Sequence, residues 1–264
     1  MPTPLMLRQN GELRPHRIWN WTLPAWHVTL DDGTRFHTCP NAGICAQYCY
    51  ARNGTYLFSN VLAAHRANLQ RVLDSPRLWE EDMVAEVALR RFRPTGQPRV
   101  VPGLPDSGTF DEWLDGWIAS GGAAVRIHDS GDFFADWYLD RWVSIAERTP
   151  DVLFYAYTKE VAMLKERTAP LPPNMRILFS TGGLQDHLID PDIDRHADVF
   201  PDETAVAAAG YESQDASDLL AVLMPTSRIG IPANNIRHFN RRLAGRRFSE
   251  AVPIHLRLRG VDGR

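Results

Sequence analysis

The sequence predicts a parallel α/β protein, and two observations support that prediction. Short apolar stretches that end in polar residues and glycine alternate with helical stretches at roughly 25-residue spacing, as repeated strand–helix units do. The chain has 264 residues, 44% of them hydrophobic, with eight tryptophans, which suits one large domain with a substantial core. We therefore expect a single domain over residues 1–264. It should form a full or partial (β/α) barrel, with a doubly wound open parallel sheet as the alternative.

The elements before residue 112 are expected to be a hairpin, a loop and two helices. WHVTLDDGTRFHTCP, at 26–40, predicts a strand or hairpin that leads into a cysteine loop at 37–54. A helix should begin near Ser59 and end just before Pro76, and a second should run over about 79–91. The Pro- and Gly-rich stretch 94–112 predicts a loop.

The rest of the chain repeats one pattern. Three apolar strands end in polar tips: AAVRIHDSG, VLFYAYTK and MRILFSTGG. Helical stretches follow the first two, DWYLDRWVSIAERTP and EVAMLKERTAP, because their apolar residues share a helical face. Beyond them we expect a mixed segment at 190–202, a strand at 204–209, a short helix at 217–223 and a late strand in SRIGIP.

The strand tips are where chemistry is expected. In parallel barrels and open parallel sheets, ligands bind at the carboxyl ends of the strands. The cysteine loop should stand on the same rim. The tips would present three polar groups, namely His128-Asp129-Ser130-Gly131-Asp132, Thr158-Lys159 and Ser180-Thr181-Gly182-Gly183.

Cys39, Cys45 and Cys49 are the chain's only cysteines and lie within one short segment. Their odd number excludes a closed set of internal disulfides, and clustered thiolates select zinc or iron-sulfur clusters. Zinc would need a fourth ligand, for which His37 or His65 is available, but the usual paired C-x2-C knuckle is absent. The pattern therefore favours a four-iron, four-sulfur cluster with one iron left free for an exogenous ligand, and zinc is the alternative.

Three tip residues are candidate catalytic groups. Because the unperturbed pKa of a histidine lies near neutrality, His128 is expected to donate a proton or bind substrate, or else to hold a loop. Asp129 is a candidate acid, and Lys159 is expected to bind a carboxylate or phosphate, or else to project into water. Ser180, Gly182 and Gly183 are candidates for contact with a cofactor.

Charge and motifs exclude several function classes. The net charge of −3 argues against wholesale coating of nucleic acid, although the Arg-rich tail at 237–264 is either a solvated face or a phosphate-contacting patch. No Walker sequence, G-x-S-x-G or H-E-x-x-H occurs. No apolar stretch has the length of a signal or a membrane span, so we expect a cytoplasmic protein without membrane contact.

The cysteine loop, with Tyr48 directly before its last cysteine, resembles the cluster loop of radical S-adenosylmethionine enzymes, whose usual form is C-x3-C-x-aromatic-C. Here the spacing is C-x5-C-x3-C, so both intervals depart from that form. The resemblance implies a cluster that cleaves S-adenosylmethionine to a 5′-deoxyadenosyl radical, supplied by an electron donor. It also implies that Ser130-Gly131-Asp132 receives the methionine ammonium, with Asp129 as an equal candidate.

A second resemblance covers roughly residues 35–185. CPNAGICAQYCYARNG, RIHDSGDFF, DVLFYAYTK and RILFSTGG are together similar to a phage-borne family known by its gene-product number, eighty-eight. It implies a phage protein acting in the host cytoplasm and gives no mechanism. Two further functions stay open: a non-enzymatic nucleic-acid-associated protein with a structural metal loop, and a metal-dependent nuclease or hydrolase that uses Asp129 and Asp132.

Overall fold

A computed structural model describes residues 5–233 and 243–251 and gives an α/β fold. Its strands, in chain order, are β1 (Ile18–Asn20), β2 (His27–Thr29), β3 (Arg35–His37), β4 (Ala124–Ile127), β5 (Leu153–Thr158), β6 (Met175–Ser180), β7 (His196–Phe200), β8 (Glu212–Ser213) and β9 (Arg228–Pro232). Strands β2 and β3 form an antiparallel hairpin. The other seven form one sheet in the order β1-β4-β5-β6-β7-β9-β8, and every neighbouring pair in it is parallel.

Eight helices lie in the described part of the chain. They are α1 (Cys45–Tyr48), α2 (Ser59–Asp74), α3 (Pro76–Val87), α4 (Glu112–Ser120), α5 (Asp136–Arg148), α6 (Val161–Lys165), α7 (Glu203–Ala208) and α8 (Leu220–Leu223). Short 3-10 turns connect several of them, including Tyr50–Arg52 and Gly54–Leu57 between α1 and α2.

Helices cover both faces of the sheet. On one face α2, α3 and α5 pack around buried aromatic rings, of which Trp21, Trp79 and Trp142 are fully buried. The Trp79 and Trp142 rings meet edge to face, with centroids 5.2 Å apart. On the other face α4 and α8 pack against β4, β5 and β6. Strands β4, β5 and β6 therefore bury apolar side chains on both faces of the sheet, as expected for a parallel sheet.

The sheet curls into a half-barrel. Strands β1 and β8 stand at its two edges, so the barrel does not close. The prediction of a parallel α/β fold is confirmed. The alternative of an open parallel sheet with helices on both faces also fits this architecture.

Most predicted elements are present, and the exceptions have local causes. The strand predicted at 204–209 is wrong, because Asp202 accepts a hydrogen bond from the Ala205 N–H and so caps helix α7. The mixed segment at 190–202 contains strand β7. The sequence prediction missed β1 and α4, and α3 begins earlier than expected, with Pro76 in its first turn.

Within residues 5–233 and 243–251, no helix is long and apolar enough to cross a membrane.

Candidate functional site

The cysteine loop rests on the carboxyl ends of β4 and β6. The Asp132 N–H, just after β4, donates to the Thr38 carbonyl oxygen at 2.8 Å. The Cys45 N–H donates to the Gly182 carbonyl oxygen, just after β6, at 3.1 Å. Because parallel strands end at the same edge of a sheet, these bonds place the loop on the rim where ligands bind in such folds.

Glu160, at the end of β5, holds the loop from a third side. Its carboxylate accepts from the Asn41 backbone N–H at 3.1 Å and from the Asn41 side-chain amide at 2.6 Å. Burial and, next, the nearby Asp132 raise the pKa of Glu160 to about 7, although the two hydrogen bonds from Asn41 lower it. An acid that titrates near neutral pH therefore anchors the loop.

Gly43 lets the loop approach the β6 tip backbone to backbone. It has a φ of +52°, and a Cβ at this position would lie 2.6 Å from the Gly183 carbonyl carbon. The Gly182 and Gly183 N–H groups donate to the Asp186 carboxylate at 2.7 and 2.8 Å. In this structure the two glycines receive the cysteine loop, and neither is among the residues that line the adjoining cavity.

That cavity has a volume of about 1490 Å³ and gathers every other predicted site residue. The residues it collects are Cys39, Cys45, Cys49, Tyr48, His128, Asp129, Ser130, Gly131, Asp132, Lys159 and Ser180. Its volume exceeds the roughly 300–1,000 Å³ usual for one small ligand.

The three thiols interact with one another across this cavity. Burial raises the pKa of Cys39, and Asp132, Cys45 and Cys49 raise it further. Burial also raises the pKa of Cys49 to about 12, with Cys45 as the next cause. The thiols of Cys39 and Cys49 are therefore protonated before a metal binds, and a bound metal must displace those protons.

The sequence suggests two metal centres for the three cysteines, a zinc ion or an iron-sulfur cluster. Within residues 5–233 and 243–251, no three His, Cys, Asp or Glu side chains are arranged to hold a single metal ion. Of the two candidate fourth ligands for zinc, His37 is exposed and faces His27 across the hairpin, while His65 lines the cavity and faces Tyr56. A zinc ion needs its sulfurs converging at about 2.3 Å. The three thiols line one cavity, and the choice between a four-iron cluster and zinc stays a prediction.

Lys159 is a fixed positive charge beside the thiols. It is buried, and its ammonium donates to Ser180 O at 3.0 Å, Ser180 Oγ at 2.9 Å and Thr181 O at 2.8 Å. Its charge, after that of Arg52, opposes the rise that burial causes in the pKa of Cys49. All three N–H donors are engaged, so the expected projection into water does not occur. We call Cys39, Cys45, Cys49 and Lys159 the thiol wall.

His128 and Asp132 are both buried at the end of β4. His128 has a φ of +66°, its Nε2 lies 3.0 Å from the Tyr138 hydroxyl, and burial lowers its pKa to about 3. The ring is therefore neutral at physiological pH and has no imidazolium proton to donate. Asp132 accepts from the Phe133 N–H, the Thr158 hydroxyl and the Lys159 N–H, which leaves one lone pair on Oδ2.

A second polar wall of the cavity was not predicted from the sequence. Arg126 of β4 lies 3.4 Å from Asp218 and 4.0 Å from Asp129, measured from Nη1 to the carboxylate oxygens. Tyr56 donates to Asp129, Tyr157 donates to Asp218 at 3.2 Å, and the Arg126 guanidinium lies 5.2 Å from the Tyr157 ring centre. We call these five residues the acid wall. The one signal in the sequence is an arginine inside an otherwise apolar strand.

Tyr155 and Tyr157 were interpreted as core packing, and the structure gives them a polar role as well. Tyr155 is fully buried, and its hydroxyl donates to the Asp218 carboxylate, as the Tyr157 hydroxyl does. Burial raises the pKa of both hydroxyls, so they stay protonated as donors. The two tyrosines of β5 therefore hold Asp218 in place.

Most of the Arg-rich tail predicted at 237–264 lies outside the described residues, as do Asn234 and Asn235. Within the described part, Arg247 pairs with Glu250 at 3.0 Å and with Asp198 at 3.6 Å. Arg246 donates through Nε to the Leu243 carbonyl oxygen at 3.2 Å. Contact with nucleic acid through this tail stays a prediction.

A family model described as gene product 88 matches residues 5–252, nearly the whole chain. No curated protein and no solved structure matches the chain. The sequence resemblance to the gene-product family is confirmed by this match, which extends well beyond 35–185. The resemblance to radical S-adenosylmethionine enzymes has no support from it.

Proposed function

The chain belongs to the gene product 88 family, and from that premise we propose that it is an enzyme that holds a four-iron, four-sulfur cluster on Cys39, Cys45 and Cys49. We further propose that S-adenosylmethionine binds at the open iron, in the same cavity. Both parts rest on the chemistry of the thiol wall.

The observation that carries the proposal is the position of the thiols. They lie on a loop fixed to the tips of β4, β5 and β6 and line the same cavity as Asp132, Lys159 and Ser180. A structural metal site is normally closed by protein ligands. Three thiols that face a cavity of about 1490 Å³ leave one coordination position accessible to a small molecule, as a reactive cluster requires.

The chain's own residues prepare the site in two ways. Lys159 keeps a positive charge next to Cys49, which favours the thiolate that a cluster needs. The loop is positioned by backbone hydrogen bonds and by Glu160, so the thiols are held before metal arrives. A reduced cluster would supply the electron that cleaves the sulfonium of S-adenosylmethionine.

The second ligand has polar groups available near the thiols. The radical-enzyme resemblance implies that Ser130-Gly131-Asp132 receives the methionine ammonium. Asp132 keeps one free lone pair on Oδ2, while the Ser130 hydroxyl donates to the Leu23 carbonyl oxygen at 2.5 Å. Gly131 packs against Leu23, since a Cβ there would lie 2.7 Å from the Leu23 Cβ. Of the three, Asp132 is therefore the residue that we propose contacts the cofactor.

The test is an anaerobic purification of the full chain. We expect a brown protein that absorbs near roughly 400 nm and contains iron and sulfide, and a colourless protein when Cys39, Cys45 and Cys49 are all changed to Ser. A colourless wild-type protein with one equivalent of zinc would refute the cluster. S-adenosylmethionine is tested separately: reduced wild-type protein should form 5′-deoxyadenosine, and cluster-loaded protein that neither binds S-adenosylmethionine nor forms that product rejects this part alone.

A further inference from the structure

The acid wall carries more negative than positive charge. Asp129 and Asp218 share the single guanidinium of Arg126, at 4.0 and 3.4 Å. Neither carboxylate makes another ion pair within the described residues. One guanidinium and two carboxylates sum to a net charge of −1.

Solvent does little to compensate this charge. The side chains of Asp129 and Asp218 are 10% and 13% exposed, and that of Arg126 is 19% exposed. Uncompensated charge at such low exposure is costly unless a partner of opposite sign binds. The tyrosine hydroxyls that donate to the two acids spread the negative charge but leave its sum unchanged.

Asp129 is the acid with an oxygen left for a ligand. Its Oδ2 accepts from the Tyr56 hydroxyl, while its Oδ1 has only the guanidinium at 4.0 Å. Asp218 is more fully engaged, because Tyr155, Tyr157 and Arg126 all contact it. The surplus charge is therefore available at Asp129, which lines the cavity.

Aromatic rings surround Asp129. The Tyr50 hydroxyl donates to its backbone carbonyl oxygen, and the Tyr50 and Tyr56 rings meet edge to face with centroids 5.6 Å apart. The His65 ring lies 6.1 Å from that of Tyr56, and burial lowers the pKa of His65, so this ring adds no positive charge near neutral pH. The hydroxyl ends of both tyrosines point at Asp129. Aromatic rings next to a carboxylate suit an organic cation, which can contact the rings while it pairs with the acid.

A metal ion does not fit this place. Within residues 5–233 and 243–251, no group of three His, Cys, Asp or Glu side chains is arranged to hold one, and the Arg126 guanidinium lies between the two acids. We infer that the acid wall binds the alkylammonium group of a substrate, with Asp129 as the charge partner and Tyr50 and Tyr56 as the flanking rings. This inference deepens the proposed function by naming the substrate class, yet it stands on contacts that include no cysteine.

The experiment is a calorimetric titration of the full chain with n-butylammonium and 1,5-diaminopentane, using n-butanol as the neutral probe of similar shape. We expect both amines to bind saturably and n-butanol not to bind. Asp129→Asn should weaken amine binding at least about tenfold, the loss expected when a charge-assisted hydrogen bond is removed. Asp215→Asn is the matched control, because Asp215 lines the same cavity but is exposed. It should bind amines as the wild type does.

Tyr56 provides a second variant that does not change the charge. Tyr56→Leu removes the ring and should weaken binding, while Tyr56→Phe keeps the ring and should retain most of it. Equal binding of n-butanol, or equal losses in Asp129→Asn and Asp215→Asn, overturns the inference. The inference is also overturned if S-adenosylmethionine binds equally to wild type and Asp129→Asn while neither amine binds. That result would leave the proposed function standing. Iron content measured in each preparation separates a lost cluster from a lost amine site.

Discussion

The two walls of the cavity are built in opposite ways. The thiol wall takes its cysteines from one short segment, whose position depends on backbone hydrogen bonds to the tips of β4 and β6 and on Glu160. The acid wall is assembled from residues far apart in the chain, Arg126 on β4 and Asp218 just before α8, and it depends on side-chain contacts alone. Backbone changes in the cysteine loop should therefore damage the thiol wall, and loss of a carboxylate should damage the acid wall.

Gly43→Ala should have the largest effect on iron content and on the free energy of unfolding, and it should act on the thiol wall only. The added Cβ would overlap the Gly183 backbone at 2.6 Å, and a φ of +52° is unfavourable for alanine. We expect most of the iron to be lost, with a decrease in unfolding free energy of about 1–3 kcal/mol, the range for overpacking. Gly54→Ala is the matched control, since Gly54 has a φ of +59° with nothing within 4 Å of the added Cβ.

The measurements for this pair are iron content after anaerobic reconstitution and urea unfolding. Gly54→Ala should show only the smaller cost of the positive φ and keep its iron. Equal iron in the two variants would mean that the loop does not need its close contact with the β6 tip.

Asp218→Asn should act on the acid wall and leave iron unchanged. It removes the carboxylate nearest to Arg126, so the buried guanidinium keeps only Asp129 at 4.0 Å. We expect the free energy of unfolding to fall by about 1–3 kcal/mol, because a buried charge loses its closer partner. Urea unfolding and iron analysis of the same preparation test this, and a loss of iron would contradict the independence of the two walls.

Lys159→Met should reduce the affinity of the thiol wall for the proposed cluster while the loop keeps its position. The substitution keeps the length of the side chain and removes a positive charge that, with Arg52, opposes the rise in the pKa of Cys49. Iron affinity should fall by about tenfold, the lower end of the range for residues that support metal ligands. Iron retained against a chelator measures this effect. Lys165→Met is the control, because Lys165 pairs with Asp194 and does not line the cavity.

Sequence reasoning located the thiol wall because its signal is local. Three cysteines in one segment, followed by polar tips on apolar strands, are visible without knowing which strands are neighbours. The same logic found β4, β5, β6 and β9, since their apolar runs are continuous. It missed β7, where His196 and Asp198 are buried polar residues satisfied by Tyr211 and Thr181, contacts that exist only in the folded chain.

The acid wall was missed for the related reason that its members are meaningful only together. Arg126 alone reads as an interruption of an apolar strand, and Tyr155 and Tyr157 alone read as core residues. Their roles appear when the segment before α8 brings Asp218 against both strands. The strand predicted at 204–209 was wrong. The run is apolar and partly β-branched, but the cap at Asp202 stabilises helix α7 there instead.

Glu160 offers the smallest effect and the one that depends on pH. Its pKa is about 7 in the folded protein, above the value of about 4.3 expected for glutamate in an unfolded chain, so the folded state binds more protons between these values. The contribution of Glu160 to the stability of the folded state should therefore be complete below about pH 4.3 and should be lost as pH rises to about 7. Glu160→Gln removes the titration, so its melting temperature should fall less than that of wild type between pH 5 and roughly pH 7. Glu112→Gln, a substitution at an exposed glutamate, should leave the change of melting temperature with pH as it is in wild type. If melting temperature changes with pH in the same way for wild type and Glu160→Gln, the carboxylate that holds Asn41 stays ionised across this range. The position of the thiol wall would then be insensitive to pH.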